Sequence, residues 1–113
     1  MNFTTANQGE FTVLTAGANM LDGASAPELK ALFVQLNKDG VNQIILDLNA
    51  VKYCDSSGLS AILIGHRLCR DADGSFTLCG LQSPVSKIIS IAQLDRVFQI
   101  TDTIENALAN KSL

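Results

Sequence analysis

The sequence predicts an α/β sandwich built on a mixed open sheet of about five strands with about four helices. Three observations predict it. Short runs rich in β-formers alternate with longer stretches whose apolar residues recur every three or four positions. Gly, Asp and Pro punctuate nearly every junction between them. The strand at residues 43–48 has an apolar centre, which suits a strand covered on both faces.

The elements follow in order. Residues 2–7 read as a weak strand, and a turn at Gln8-Gly9-Glu10 joins it to Phe11-Thr12-Val13-Leu14-Thr15, which alternates as a half-buried strand does. Ser25-Ala26-Pro27-Glu28 has the pattern of a capping box with Pro in the first turn. Leu29, Leu32, Phe33 and Leu36 then mark one helix face, and Asp39-Gly40 ends it. After the strand at 43–48, a second helix is expected from about Ser57 to Arg70, apolar on most sides of its first turns. Asp73-Gly74 turns the chain into a strand at 76–79. Ser83-Pro84 opens a third helix, with Val85, Ile88, Ile89 and Ala92 on one face. A strand at 97–100 and a capping box at Asp102-Thr103-Ile104-Glu105, opening a last helix, complete the order β-β-α-β-α-β-α-β-α. Such alternation implies a parallel later sheet with right-handed crossovers, while the first two strands can be antiparallel.

Bulk properties narrow the function. The 113 residues are expected to form one domain, residues 1–113. Formal net charge is -3, and no cluster of Lys or Arg offers a track for phosphate backbones, so nucleic acid is not an expected partner. With no Trp, one Tyr and five Phe, base-stacking platforms are not expected either. The N-terminus lacks a charged and apolar leader, and no run is long enough to span a membrane, so a cytoplasmic location is expected. Cys54, Cys69 and Cys79 lack close pairing and sit among apolar neighbours, which reads as three buried reduced thiols.

The most informative stretch is Tyr53-Cys54-Asp55-Ser56-Ser57-Gly58-Leu59-Ser60. It puts a carboxylate, two hydroxyls and a glycine at the entry of an apolar helix. A helix entry has unpaired N–H groups and a partial positive charge, so a hydroxyl there can cap it and a phosphate there would be held. Residue types alone leave two readings open: a plain cap with a tight turn, or a switch. Catalytic readings are each missing a part. His66, the single histidine, lies about nine residues from Ser57, so ~13 Å along the axis and out of reach of either serine. Neither phosphate-loop pattern is present. Asp22, Asp47 and Asp55 could gather at the carboxyl ends of strands, but turns use aspartate for structural reasons. No catalytic residue, metal ligand or cofactor is therefore expected.

The chain closely resembles the anti-sigma-factor antagonist family of STAS domains. Asp55-Ser56-Ser57-Gly58-Leu59 matches its signature, after a strand ending in Leu46-Asp47-Leu48-Asn49-Ala50-Val51. Gly17 to Asp22 resembles its Gly-x-Leu-Asp element, although the turn is longer here. Leu78-Cys79-Gly80-Leu81, the helix from Ser83 to Ala92, Leu94 and the final strand and helix fall in family order, over nearly the whole chain. Ser60 stands where a small residue, often glycine, is usual. The resemblance implies a single STAS fold and a non-catalytic binding protein. Unphosphorylated, it would bind a serine-kinase anti-sigma factor and so free a sigma factor. The kinase would phosphorylate Ser56 with ATP, and a separate serine phosphatase would reverse this. Asp55, Ser57, Gly58 and Asp22 are the residues implied to flank the phosphosite and meet the partner. The alternative the family offers is a non-catalytic STAS subunit of a lipid-transport ABC ATPase complex. A nucleotide-binding module, proposed for some members, would have to do without a phosphate loop.

Overall fold

A computed structural model describes residues 3–109. Strands β1 (Phe3–Gln8), β2 (Phe11–Ala16), β4 (Gln43–Asp47), β6 (Ser75–Cys79) and β7 (Gln99–Thr101) form one sheet in the order β1-β2-β4-β6-β7. β1 and β2 are antiparallel, and every later pairing is parallel. This is the mixed sheet the alternation implies. Asn2, the first residue of the expected opening strand, lies outside the described residues. Gly9 makes the hairpin turn with φ +63, a conformation in which a side chain would be strained.

Four α-helices are present among the described residues: α1 (Ala26–Lys38), α2 (Ser56–Asp71), α3 (Ser83–Ile91) and α4 (Ile104–Ala109). The larger core lies between the sheet and α1–α3. There Leu29 and Phe33 of α1, Ile62 of α2 and Ile89 of α3 meet Leu14, Ile44, Leu46 and Leu78 of the strands. The opposite face of the sheet is covered by α4, where Ala107 meets Phe11, Val13, Ile45 and Cys79. The two-residue period of the strands thus feeds two cores, which is why residues 44–46 are apolar without interruption.

Several local expectations are corrected. Ser25 does not form a capping box with Glu28: it makes no side-chain cap bond, and its hydroxyl is engaged with the residues before it. The last helix is capped by Thr103, whose Oγ1 accepts from the Asn106 amide at 3.0 Å, and not by Asp102. The expected strand at 97–100 divides. A single 3₁₀ turn occupies Leu94–Arg96, Val97 is exposed, Phe98 is buried, and β7 starts at Gln99. Ala92 is exposed at the end of α3 and not on its packed face. Two strands were not expected at all: β3 (Met20–Leu21) and β5 (Tyr53–Cys54), which pair in parallel as a separate ribbon.

Candidate functional site

The helix α2 begins one residue earlier than its apolar pattern suggests. Asp55 is the residue before it, in extended backbone (φ -108, ψ -170), and its Oδ1 accepts from the Gly58 amide at 3.1 Å. The cap is therefore an aspartate, and both serines are free of that task. Ser56 is the first helical residue and is exposed, whereas Ser57 is half-buried. Ser57 faces Gly23, where an added Cβ would come within 3.9 Å of its Oγ. The amides of the first helical turn remain without intrahelical partners, so the Ser56 hydroxyl sits at a positive helix end.

The ribbon β3–β5 fixes what surrounds it. Met20 pairs with Tyr53 and Leu21 with Cys54. The Asp55 amide donates to the Leu21 carbonyl at 3.2 Å. Asp22 and Asp55 thus leave the same end of the ribbon side by side. Asp22 organises its own turn: its Oδ1 accepts from the amides of Ala24 at 3.0 Å and Ser25 at 3.3 Å. Ser25 Oγ in turn accepts from the Asp22 amide at 3.0 Å and donates to the Met20 carbonyl at 3.1 Å. Gly58 is required by this packing. A Cβ there would overlap the Leu21 carbonyl oxygen and come within 2.8 Å of Cys54 Sγ.

The five sequence-derived residues are accordingly brought together: Ser56, Ser57 and Gly58 on the first turn of α2, Asp55 as its cap, and Asp22 on the adjoining loop. Asp47 is not with them. It accepts from the Asn49 amide at 3.0 Å and lines a different hollow with Cys79 and Glu105. His66 is remote as well, half-buried on α2 with its ring edge-on to Phe98 at 5.6 Å. The thiol nearest the serines, Cys54, is buried, and burial followed by the Asp55 charge pushes its pKa up to about 12. It is a packed neutral group and not a nucleophile.

Two features of this surface escape a reading of the sequence. The first is a groove of about 500 Å³ that starts at Ser56 and runs along α2 past Leu59, Leu63 and Ile64 to Arg67, with Leu94 on its far wall. Leu63 sits in the apolar pattern of α2, which suggests core, and Leu94 opens a 3₁₀ turn that has no periodicity, so no local signal marks either as half-exposed. The second is the pair Met20 and Tyr53, each 50% exposed on the ribbon beside the helix entry. An exposed serine at a positive helix end, bordered by apolar surface on two sides, is suited to a binding face whose charge can be changed by one modification.

Comparison with known proteins agrees with this layout. A family model described as the STAS domain matches residues 2–107. The chain is 30% identical over 91 residues to BtrV of Bordetella bronchiseptica, covering 80% of this chain and 78% of that one. It is 24% identical over 105 residues to the anti-sigma-B factor antagonist of Staphylococcus aureus, covering 93% and 96% of the two chains. A solved structure from Thermotoga maritima superposes with a TM-score of 0.91 at 26% identity, covering 98% of this chain and 95% of that one.

Proposed function

Because the chain belongs to the STAS domain family, we propose that it is an anti-sigma factor antagonist switched at Ser56. With Ser56 unmodified it binds an anti-sigma factor and so releases a sigma factor. The observation that carries this reading is the exposed Ser56 hydroxyl at the start of α2, at the head of the apolar groove. The name of the Staphylococcus aureus relative supports the partner class.

The chemistry asked of this chain is small. A partner with serine-kinase activity transfers the terminal phosphoryl group of ATP to Ser56 Oγ. The P–O bond to ADP breaks, the bond to Ser56 forms, and a base of the kinase takes the hydroxyl proton. The acceptor needs exposure and a fixed position, and the Asp55 cap with the β3–β5 ribbon gives it both. A serine phosphatase resets the chain by hydrolysis. In this reading the chain itself acts by binding and has no catalytic residue of its own. No helix among the described residues is long and apolar enough to cross a membrane.

The switch follows from charge. Phosphate adds about -1.5 to -2 charges at pH 7. The free amides at the helix start and the helix dipole offset part of that, so the fold tolerates it. A partner whose apolar side chains fill the groove beside Leu59 and Leu63 meets a dianion at its edge and must desolvate it. Release without unfolding is the expected result. Calorimetry of an anti-sigma factor kinase with the unmodified and the phosphorylated chain tests this. Binding of the first and loss of binding in the second supports the reading, and equal affinity refutes it.

A further inference from the structure

The outward stripe of α2 has a pattern that the fold itself does not require. At about 100° per residue, Ser56, Ser60, Leu63 and Arg67 fall within ~60° of one another. The buried Ala61, Ile62, Gly65 and Cys69 lie on the opposite side. Two hydroxyls, a leucine and a cation thus follow one another along the outside of the helix over ~16 Å, which is three turns. The stripe is the floor of the groove of about 500 Å³, and Leu94 forms its far wall beside Ala92.

Two properties of the groove select what fits it. The first is that the main chain of its walls is already bonded. Beyond its first turn α2 spends its amides within the helix. The Leu94 carbonyl accepts from the Val97 and Phe98 amides at 3.0 Å each, and the Ala92 amide donates to the Ile88 carbonyl at 3.0 Å. An extended segment laid here would lack backbone partners, whereas a helix bonds its own. The second property is charge. Arg67 is exposed and is the one charged side chain lining the groove, and the one ion pair among the described residues joins Arg70 to Asp71. That end of the groove is complementary to a carboxylate. The other end, at Ser56, is the positive start of α2.

We propose that an amphipathic helix of the anti-sigma factor lies in this groove antiparallel to α2, with an acidic residue of its first turn on Arg67 and its carboxyl end at Ser56. The inference rests on the antagonist reading of Ser56 and adds to it a partner element and a direction. Acidic side chains are favoured in the first turn of a helix, and the last carbonyls of a helix have no intrahelical donor. The Ser56 hydroxyl donates to one of those carbonyls. A phosphoserine dianion has no proton to donate, and it sets its charge against the negative end of the partner helix. One modification therefore removes a bond and adds a repulsion at the same point. A parallel helix would do the reverse. Two positive helix starts would meet at Ser56, and a phosphate between them would tighten the complex.

The experiment is calorimetry of an anti-sigma factor kinase with the full chain at low and physiological salt, joined to hydrogen-exchange mass spectrometry of the kinase in the complex. Arg67→Glu, an exposed change whose fold circular dichroism checks, weakens binding by about tenfold or more at low salt. Arg67→Gln weakens it less and flattens its salt dependence. The kinase segment protected in the complex includes a helix with Asp or Glu in its first turn, and exchanging that acid for Lys restores binding to Arg67→Glu. Undiminished affinity of Arg67→Glu overturns the proposal. So does protection confined to loops and strands of the kinase. The switch at Ser56 is read separately, from the wild-type chain alone: equal affinity before and after phosphorylation refutes it, whatever Arg67→Glu does.

Discussion

The Asp55 carboxylate accepts the Gly58 amide at 3.1 Å, and this one bond decides what the two serines between them are free to do. With the cap supplied by the aspartate, Ser56 can be modified without removing a bond that holds α2. The first expectation follows. Ser56→Ala should abolish phosphate incorporation by a kinase partner and change stability by no more than about 0.5 kcal/mol, as for other exposed sites. Phosphopeptide mass spectrometry and a melting curve read both; phosphate still present, on Ser57 for instance, would move the acceptor.

Asp55 caps α2, and it also carries a negative charge beside the proposed acceptor, Ser56. Asp55→Ala should cost about 1 kcal/mol, the usual loss for an N-cap. Asp55→Asn should keep the cap and lose only the charge. Urea unfolding of both variants, with phosphorylation rates, separates the roles. Equal stability of Asp55→Ala and wild type would mean the bond to Gly58 contributes nothing.

Gly58→Ala should be more damaging than its single methyl suggests. The added carbon collides with the Leu21 carbonyl and crowds Cys54, and backbone yields less readily than a flexible side chain. A loss of about 1–3 kcal/mol is expected, with weaker partner binding as β3 and β5 are pushed apart. A variant as stable as wild type would contradict the packing described.

The apolar surface beside the acceptor should carry binding and not folding. Met20 and Tyr53 are each half-exposed, so Met20→Ala and Tyr53→Ala should leave the melting temperature nearly unchanged. Affinity for an anti-sigma factor should fall, more for Tyr53 because aromatic anchors dominate interfaces. Unchanged affinity in both variants would place the interface elsewhere.

The buried thiols make stability fall in alkali. Burial pushes Cys54 and Cys79 up to about 12 and Cys69 to about 11, from an ordinary 9.0; the Asp55 charge adds for Cys54, and Asp47 and Glu105 add for Cys79. The unfolded chain releases these protons first. The thiols' contribution is therefore intact below about pH 9 and declines as pH rises from there towards 12. Denaturation at pH 8 and pH 10 should show the drop, and a Cys54→Ala, Cys69→Ala, Cys79→Ala variant should show less of it.

The long elements were legible because their signals repeat. Leu29, Leu32, Phe33 and Leu36 mark a face over several turns, and residues 44–46 are apolar because two cores need them. The exposed Ser56 at the start of α2 was marked by a short motif, whose residue types left a plain cap and a switch both open and whose resemblance to the STAS signature pointed to the switch. The ribbon was not legible. Two-residue strands have no period, and Met20 finds Tyr53 only after the chain has folded. The cap choices were misread for a related reason. Ser25 and Asp102 both stand where a cap could be, but Ser25 is drawn to Met20 and Asp22 by the ribbon, and Thr103 lies one residue nearer its helix. Where β7 begins depended on the 3₁₀ turn before it, which no periodicity announces.

The ribbon also sets limits on how this chain can vary in length. The Asn19 carbonyl accepts from the amides of Lys52 at 2.7 Å and Tyr53 at 3.3 Å, and from Met20 to Ser25 each residue but Gly23 is tied by ribbon pairing or by backbone or side-chain bonds. Residues inserted at exposed Gly17 or at Ala18 would bulge into solvent and leave the height of Ser56 unchanged. One residue inserted between Asn19 and Asp22 would slide Leu21 off Cys54 and tilt the start of a helix that lies more than 30 positions later in the sequence. Tolerance to insertion should therefore change abruptly at Asn19, with the position of Ser56 acting as the gauge.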